Sequence, residues 1–290
     1  MPDEYVPRTP PDRDHLVLGP AVEVVSAGNE VLLGDVLDTN TNWLCKRVTA
    51  LGGHVRRTMM LRDEVETIAE ELRRAVARRP ALIITVGGLG PTTDDLTLLG
   101  VASALGRRLE LDAEAERMVA ERYAEFAARR HVADPGMNEA RRKMARLPQG
   151  ARPLVNRVGG APGVLVEHEG VTIVSLPGVP GELRAIVDES LGDVLDRIFG
   201  TAAFSERVLV VDTQDESAIA HILADVEEAH PLVYIKSRAQ QIGSEHVNRI
   251  TAAARETDAA AVDALLDPVI SDLKERIEAT GIATWPGEPG

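Results

Sequence analysis

Leu82-Ile-Ile-Thr-Val86, followed by Gly87-Gly-Leu-Gly90 and Pro91-Thr-Thr-Asp-Asp-Leu-Thr97, constrains the fold more than any other stretch of the chain. The unbroken run Leu82 to Val86 reads as a strand buried on both faces. The glycines make a turn. Pro91, Thr92 and Thr93 then open a helix whose first turn carries Asp94 and Asp95. Strand, glycine turn and helix start form an anion cradle, because bare N–H groups and the helix dipole favour phosphate there. Two carboxylates in the same place would repel a naked phosphate. The motif points to a phosphate bridged by a metal ion, or to a ligand that offers hydroxyls and amines as well. The structural alternative is a capping threonine with aspartates that only complement the dipole.

The flanking pattern extends this unit in both directions. Ala21–Ser26 reads as a first strand, Thr39 as the N-cap of a helix running to Leu51, and His54–Met60 as a second strand. A helix from Asp63 carries Val65, Ile68, Ala69, Leu72 and Val76 on one face, and the Asp94 helix runs to Leu105. Such βαβαβ alternation predicts a parallel sheet with helices on both faces. Beyond it come an amphipathic helix over 112–130, a helix over 138–145, and two short strands, 163–167 and 171–176, joined by a turn at His168-Glu169-Gly170. A helix over 182–199 follows. Composition shifts near Gly200, and a β-α-β-β-α pattern ends in a helix with Val262, Leu266, Val269, Leu273 and Ile277 at helical spacing. The expected organisation is a flexible arm over 1–20, a large α/β domain over 21–200, a small α+β domain over 201–282, and a frayed tail over 283–290.

Charge and composition narrow the partners. The formal charge of −14, with no long basic run, argues against nucleic acid as the main partner. Cys45 is the single cysteine, so no intrachain disulfide or cysteine-based zinc site can form, which fits a reducing cytoplasm. The Pro-rich, charged residues 1–20 lack the apolar segment of a signal peptide, and no stretch has the length and apolarity of a membrane span.

In an open parallel sheet, ligands sit beyond the carboxyl ends of the strands. Three such ends deliver Glu30, Asp38, Asp63, Asp94 and Asp95 toward one crevice. Crowded carboxylates need a cation or a proton to relieve them, which is the physical argument for a divalent metal (Mg, Mn or Co) on Asp63, Asp94 and Asp95. Leu176-Pro-Gly-Val-Pro-Gly-Glu182 again follows a strand and opens a helix. It serves equally well as a structural turn or a ligand contact. Asn138, Arg141, Arg142 and Lys143 are candidates for contacts to phosphate, with a solvated helix face as the alternative.

Taken together, Gly28-Asn-Glu-Val-Leu-Leu-Gly34, Asp38-Thr-Asn40, the Gly87–Thr97 motif, Ala161-Pro-Gly163 and Leu176–Glu182 closely resemble the amino-terminal part of the CinA proteins (competence/damage-inducible), within the MoaB/Mog molybdopterin-binding fold family. The resemblance covers about residues 21–200, and residues 201–280 resemble the KH-like domain that follows in CinA proteins. The deamidase domain of longer members has no counterpart here. The resemblance implies a three-layer α/β/α fold with a mostly parallel sheet, and a homo-oligomer. It implies that Asp63 and Asp95 are the functional acids. It also implies that Gly28, Glu30, Gly34, Asp38, Asn40, Gly87, Gly88, Gly90, Thr92, Thr97, Asn138, Pro177, Gly178 and Glu182 contact the ligand. Two activities follow: metal-dependent hydrolysis of ADP-ribose or a related dinucleotide pyrophosphate, or binding of molybdopterin or a nucleotide without turnover. The chain departs from the family pattern at Asn29, Asp38, Val179 and Gly181.

Overall fold

The computed structural model describes residues 19–200, 202–242 and 245–288. The expected arm falls almost wholly outside the described residues. The chain divides into two compact units.

The larger unit holds a six-stranded sheet. In chain order it comprises β1 (Ala21–Ala27), α1 (Asn29–Leu32), α2 (Thr39–Ala50), β2 (His54–Leu61), α3 (Val65–Ala77), β3 (Leu82–Val86), α4 (Thr97–Ala104), β4 (Leu109–Leu111), α5 (Ala113–Ala128), α6 (Glu139–Met144), β5 (Arg146–Pro148), β6 (Arg152–Leu154), β7 (Gly163–His168), β8 (Val171–Leu176), α7 (Pro180–Ser190) and α8 (Gly192–Phe199). The sheet order is β2-β1-β3-β8-β7-β6. The first four strands are parallel, as expected from the alternation, and β7 and β6 run antiparallel at one edge. Both faces are covered, so β3 is buried at all five positions and β8 at all six. Val25, Ile83 and Ile173 meet Ile68, Leu72 and Val76 of α3 and Val101 of α4 in one apolar cluster. The buried Leu44 and Val48 of α2 and Leu183 and Ile186 of α7 supply the other helical layer. A satellite cluster under α5 gathers Ala115, Val119, Met144, Leu147 and Val164.

Two carboxylates, Glu23 and Glu71, are buried among the described residues of this unit. Glu23, on β1, is 1% exposed. Arg78 donates from Nε and Nη2 to its carboxylate, Arg56 donates at 2.8 Å, and Arg78 also reaches Glu71 at 2.7 Å. Burial pushes the Glu23 carboxyl up, but the hydrogen bonds from Arg78 and Arg56 outweigh it and hold it below the ordinary value.

Several expectations are corrected. The helix assigned to Asp94 begins at Thr97, so both aspartates lie in the preceding turn. The N-cap of α2 is Asp38, not Thr39: its carboxylate accepts from Thr41 N at 2.9 Å and from the Thr41 hydroxyl at 2.6 Å. The helix expected over 182–199 starts at Pro180 and breaks at Leu191 into α7 and α8.

The smaller unit contains β9 (Ala203–Val211), α9 (Ser217–Ala229), β10 (Tyr234–Ile242), β11 (Glu245–Glu256), α10 (Ala259–Glu278) and β12 (Thr284–Gly287). Its antiparallel sheet has the order β10-β11-β9-β12, and its core joins Leu209, Val211, Ile250 and Ala252 to Ile219, Ile222 and Val226 of α9 and Leu266, Val269 and Leu273 of α10. The tail expected to fray instead supplies β12, with Trp285 paired to Val210.

Candidate functional site

The carboxyl ends of β1, β2, β3 and β8 lie side by side, and a cleft of about 550 Å³ opens along them. Ala27, Gly28 and Glu30 line it from the first loop, Asp63 from the second, Gly87–Pro91 with Asp94 and Asp95 from the third, and Pro177–Pro180 with Glu182 from the fourth. The antiparallel edge adds a fifth contributor. Because β7 runs against β8, the loop from β6 to β7 emerges at this same end and brings Gly160 and Ala161 to the cleft.

The glycine loop is set by local geometry. Gly87 has φ 92°, and a Cβ there would lie 2.2 Å from the Ala27 carbonyl oxygen. Only glycine meets both demands. Its N–H donates to Leu176 O at 2.9 Å, fastening the turn to the adjacent strand. The next three amides, of Gly88, Leu89 and Gly90, donate to no described residue. The loop closes through Asp95, whose carboxylate accepts from Thr92 N at 2.8 Å and from the Thr92 hydroxyl. That internal turn is why the helix starts late. Lys143, on α6, donates to Gly90 O at 2.9 Å and to Asp95 O at 2.7 Å. Burial pushes its ammonium pKa down, while Asp95 and Asp94 push it back up.

Asp63 faces this loop from the β2 side. Its Oδ2 accepts from Asn29 N at 2.8 Å. Burial raises its pKa; the Asn29 hydrogen bond opposes this, and the charges of Glu30, Asp94 and Asp95 add to it. Asp94 is fully exposed, and the Thr92 hydroxyl holds its carboxyl below the ordinary value. Asp63, Asp94 and Asp95 thus share one cleft. Yet among the described residues no three His, Cys, Asp or Glu side chains are grouped to hold a metal ion. In this arrangement Asp94 and Asp95 are turned onto Thr92, and Asp63 onto Asn29.

The opposite chemistry comes from a residue the sequence reading missed. Asn156 is 4% exposed and fully used. Its Nδ2 donates to Ala161 O at 2.7 Å and to Glu182 Oε2 at 2.6 Å, and its Oδ1 accepts from the amides of Val158 and Gly159. Glu182 lies so close to Gly159 that a Cβ there would sit 1.9 Å from Oε2. Burial raises the Glu182 pKa, against the Asn156 hydrogen bond and the Arg122 charge. Arg122 does not pair with it; its guanidinium donates to Gly159 O and Val158 O. Tyr123 completes this wall, with Arg141 3.9 Å above its ring. The Gly159-Gly160 pair was the one local signal of a close approach here.

The remaining residues expected at the site take other places. Asn40 lies outside the cleft lining and donates to Gly178 O at 2.7 Å, bracing the Pro177–Pro180 loop. Thr97 is buried beneath Gly88 and donates its N–H to Gly88 O. Asn138 caps α6 by accepting from Arg141 N at 2.9 Å. Arg142 pairs with Glu116 and Glu139. Gly34, Asp38 and Thr92 are absent from the lining. No helix among the described residues is long and apolar enough to cross a membrane.

Known proteins match both the larger unit by itself and most of the chain. The sequence model of the family described as "probable molybdopterin binding domain" matches residues 23–197. Protein PH0439 of Pyrococcus horikoshii is 42% identical over 206 residues, 71% of this chain and 79% of that protein. A protein of Aeropyrum pernix is 42% identical over 265 residues, 90% of this chain and 95% of its own. Among solved structures, the protein CinA of Thermoplasma acidophilum, described as having unknown function, matches with a TM-score of 0.55 and 32% identity, covering 61% of this chain and 98% of that one.

Proposed function

The chain belongs to this molybdopterin-binding-domain family of MoaB/Mog fold, and from that premise we propose that its cleft binds a small phosphorylated ligand and hydrolyses the pyrophosphate of an ADP-ribose-like dinucleotide. The observation that carries the reading is the row of amides at Gly88, Leu89 and Gly90 that donate to no described residue, set in a cleft with Asp63. Consecutive free N–H groups in a glycine turn form a concave anion site. They would hold the phosphoryl oxygens and stabilise the charge that develops as the bridging P–O bond breaks. Asp63, with its raised pKa, would take the proton of the attacking water. The products would be AMP and ribose 5-phosphate.

The acids fit a metal that arrives on the ligand better than one held in advance. Magnesium is commonly bound by one or two carboxylates plus substrate phosphates, so Asp63 with Asp94 or Asp95 would suffice. Such an ion would neutralise phosphoryl charge that the carboxylates otherwise repel.

The test is incubation with ADP-ribose, with and without Mg²⁺, Mn²⁺ or Co²⁺, followed by chromatography for AMP. Asp95→Ala and Asp63→Asn should abolish product while the fold is retained. Absence of AMP under every metal, together with tight ligand binding, would replace this reading with a second one: a molybdopterin- or nucleotide-binding module without turnover. The family description favours that second reading. Cytoplasmic location and a homo-oligomer belong to the same proposal, and sedimentation of the purified protein would test the latter.

A further inference from the structure

We propose that Glu182 is the acceptor for a vicinal pair of ligand hydroxyls, so that the wall built by residues 156–161 recognises the cis-diol of a ribosyl group. This inference rests on the nucleotide reading of the cleft and names the part of the ligand that this wall would hold.

Three observations lead to it. First, the carboxylate is presented as an acceptor. Asn156 spends one amide hydrogen on Ala161 O and the other on Glu182 Oε2, while its own oxygen is taken by two backbone amides. Asn156 can therefore only donate to Glu182, in one orientation. An ionised carboxylate offers about four lone-pair sites, and one is used. Second, no cation is bonded to it. Arg122, whose charge lowers the Glu182 pKa from a distance, is turned onto two carbonyls and Glu125, and Glu182 makes no ion pair among the described residues. Third, the floor beneath it is bare backbone at Gly159, with Gly160 packed on the Tyr123 ring.

A desolvated carboxylate gains from hydrogen-bond donors. A phosphate would be repelled. A cationic group would be drawn at least as strongly to Glu30, Asp63, Asp94 and Asp95 across the same cleft. Neutral hydroxyls are what a single isolated carboxylate selects, and two adjacent hydroxyls match its two oxygens. Nucleotide-binding folds use an acidic side chain on ribose hydroxyls in the same manner. A ribose 5-phosphate carries phosphate and diol on one ring, matching the free amides of the Gly88–Gly90 turn and the Glu182 carboxylate.

The experiment is isothermal titration of the full chain with AMP, 2′-deoxy-AMP and 3′-deoxy-AMP, repeated with Glu182→Gln. Wild type should bind AMP about tenfold more tightly than either deoxy compound, the equivalent of about 1.4 kcal/mol. Glu182→Gln should bind all three within about threefold, with AMP weakened to the deoxy level. Should that variant fail to fold by circular dichroism, the wild-type comparison decides alone. Equal wild-type affinity for the three, or no AMP binding, overturns the diol assignment. Production of AMP from ADP-ribose in the same preparation would then show that the pyrophosphatase reading survives without it.

Discussion

The backbone N–H of Asn29 donates to Asp63 Oδ2 at 2.8 Å, tying the loop after β1 to the loop after β2 across 34 residues of sequence. The acid that holds this link is also the one that burial and the neighbouring carboxylates destabilise in its charged form. Its folded pKa lies above the ordinary 3.8. The associated stability is therefore complete below that value and is lost as pH rises through the raised one. Asp63→Asn keeps an oxygen for Asn29 and removes the charge. We expect it to be more stable than wild type at pH 7.5, with the gap closing toward pH 4. Urea unfolding at the two pH values measures this.

Lys143→Met should loosen the glycine turn. It removes donors to Gly90 O and Asp95 O from a half-buried position, leaving two carbonyls short of a partner. The expected cost is about 1–3 kcal/mol of stability. Binding of inorganic pyrophosphate should weaken in parallel; unchanged affinity would show that the turn holds its shape without the lysine.

Gly87→Ala and Gly159→Ala separate rigid from yielding contacts. At Gly87 the new methyl would meet backbone at 2.2 Å, with a positive φ besides, and the loss should reach about 3 kcal/mol or more. At Gly159 it meets the end of a flexible side chain, so Glu182 can swing away. The fold should survive with a small drop in melting temperature, while ligand affinity falls as in Glu182→Gln. Calorimetric melting distinguishes the two, and equal losses would contradict the assignment.

Arg78→Ala tests the charged interior. It strips the buried Glu23 of most of its donors and Glu71 of its hydrogen-bond donor, leaving Glu71 only Arg74 at 4.0 Å, which should cost about 3–5 kcal/mol at neutral pH. The Glu23 carboxyl is held below its ordinary 4.5, so its stabilising effect is present above that value and fades as pH falls through the lowered one. Wild type and variant should accordingly converge in acid, as followed by fluorescence of Trp43 and Trp285.

The parallel half of the large sheet was legible because its signals are local. Leu82–Val86 is an unbroken apolar run, and β3 has those same bounds. The helix start after it was misplaced because Asp95 folds back onto Thr92, and composition does not distinguish that turn from a capped first helical turn. The pairing of β4 with β5, and of β12 with β9, joins residues far apart in sequence through three or four positions each, too few for a periodic pattern. The same physics decided the site. Gly87, Gly88 and Asp63 announced themselves by sitting just past strong strands, and Asp95 by following the glycine turn. Asn156 is an isolated polar residue whose value comes wholly from what the fold places around it.

The reversal of strand direction at the far edge of the sheet has an evolutionary consequence. A loop that closes a hairpin is anchored at both ends in neighbouring strands, so residues 155–162 can change length and chemistry without shifting the register of β6 against β7. The turn after β3 has no such freedom, because Gly87 is wedged against Ala27. Descendants of this architecture could therefore exchange the sugar or ring they accept while keeping the same grip on the phosphate.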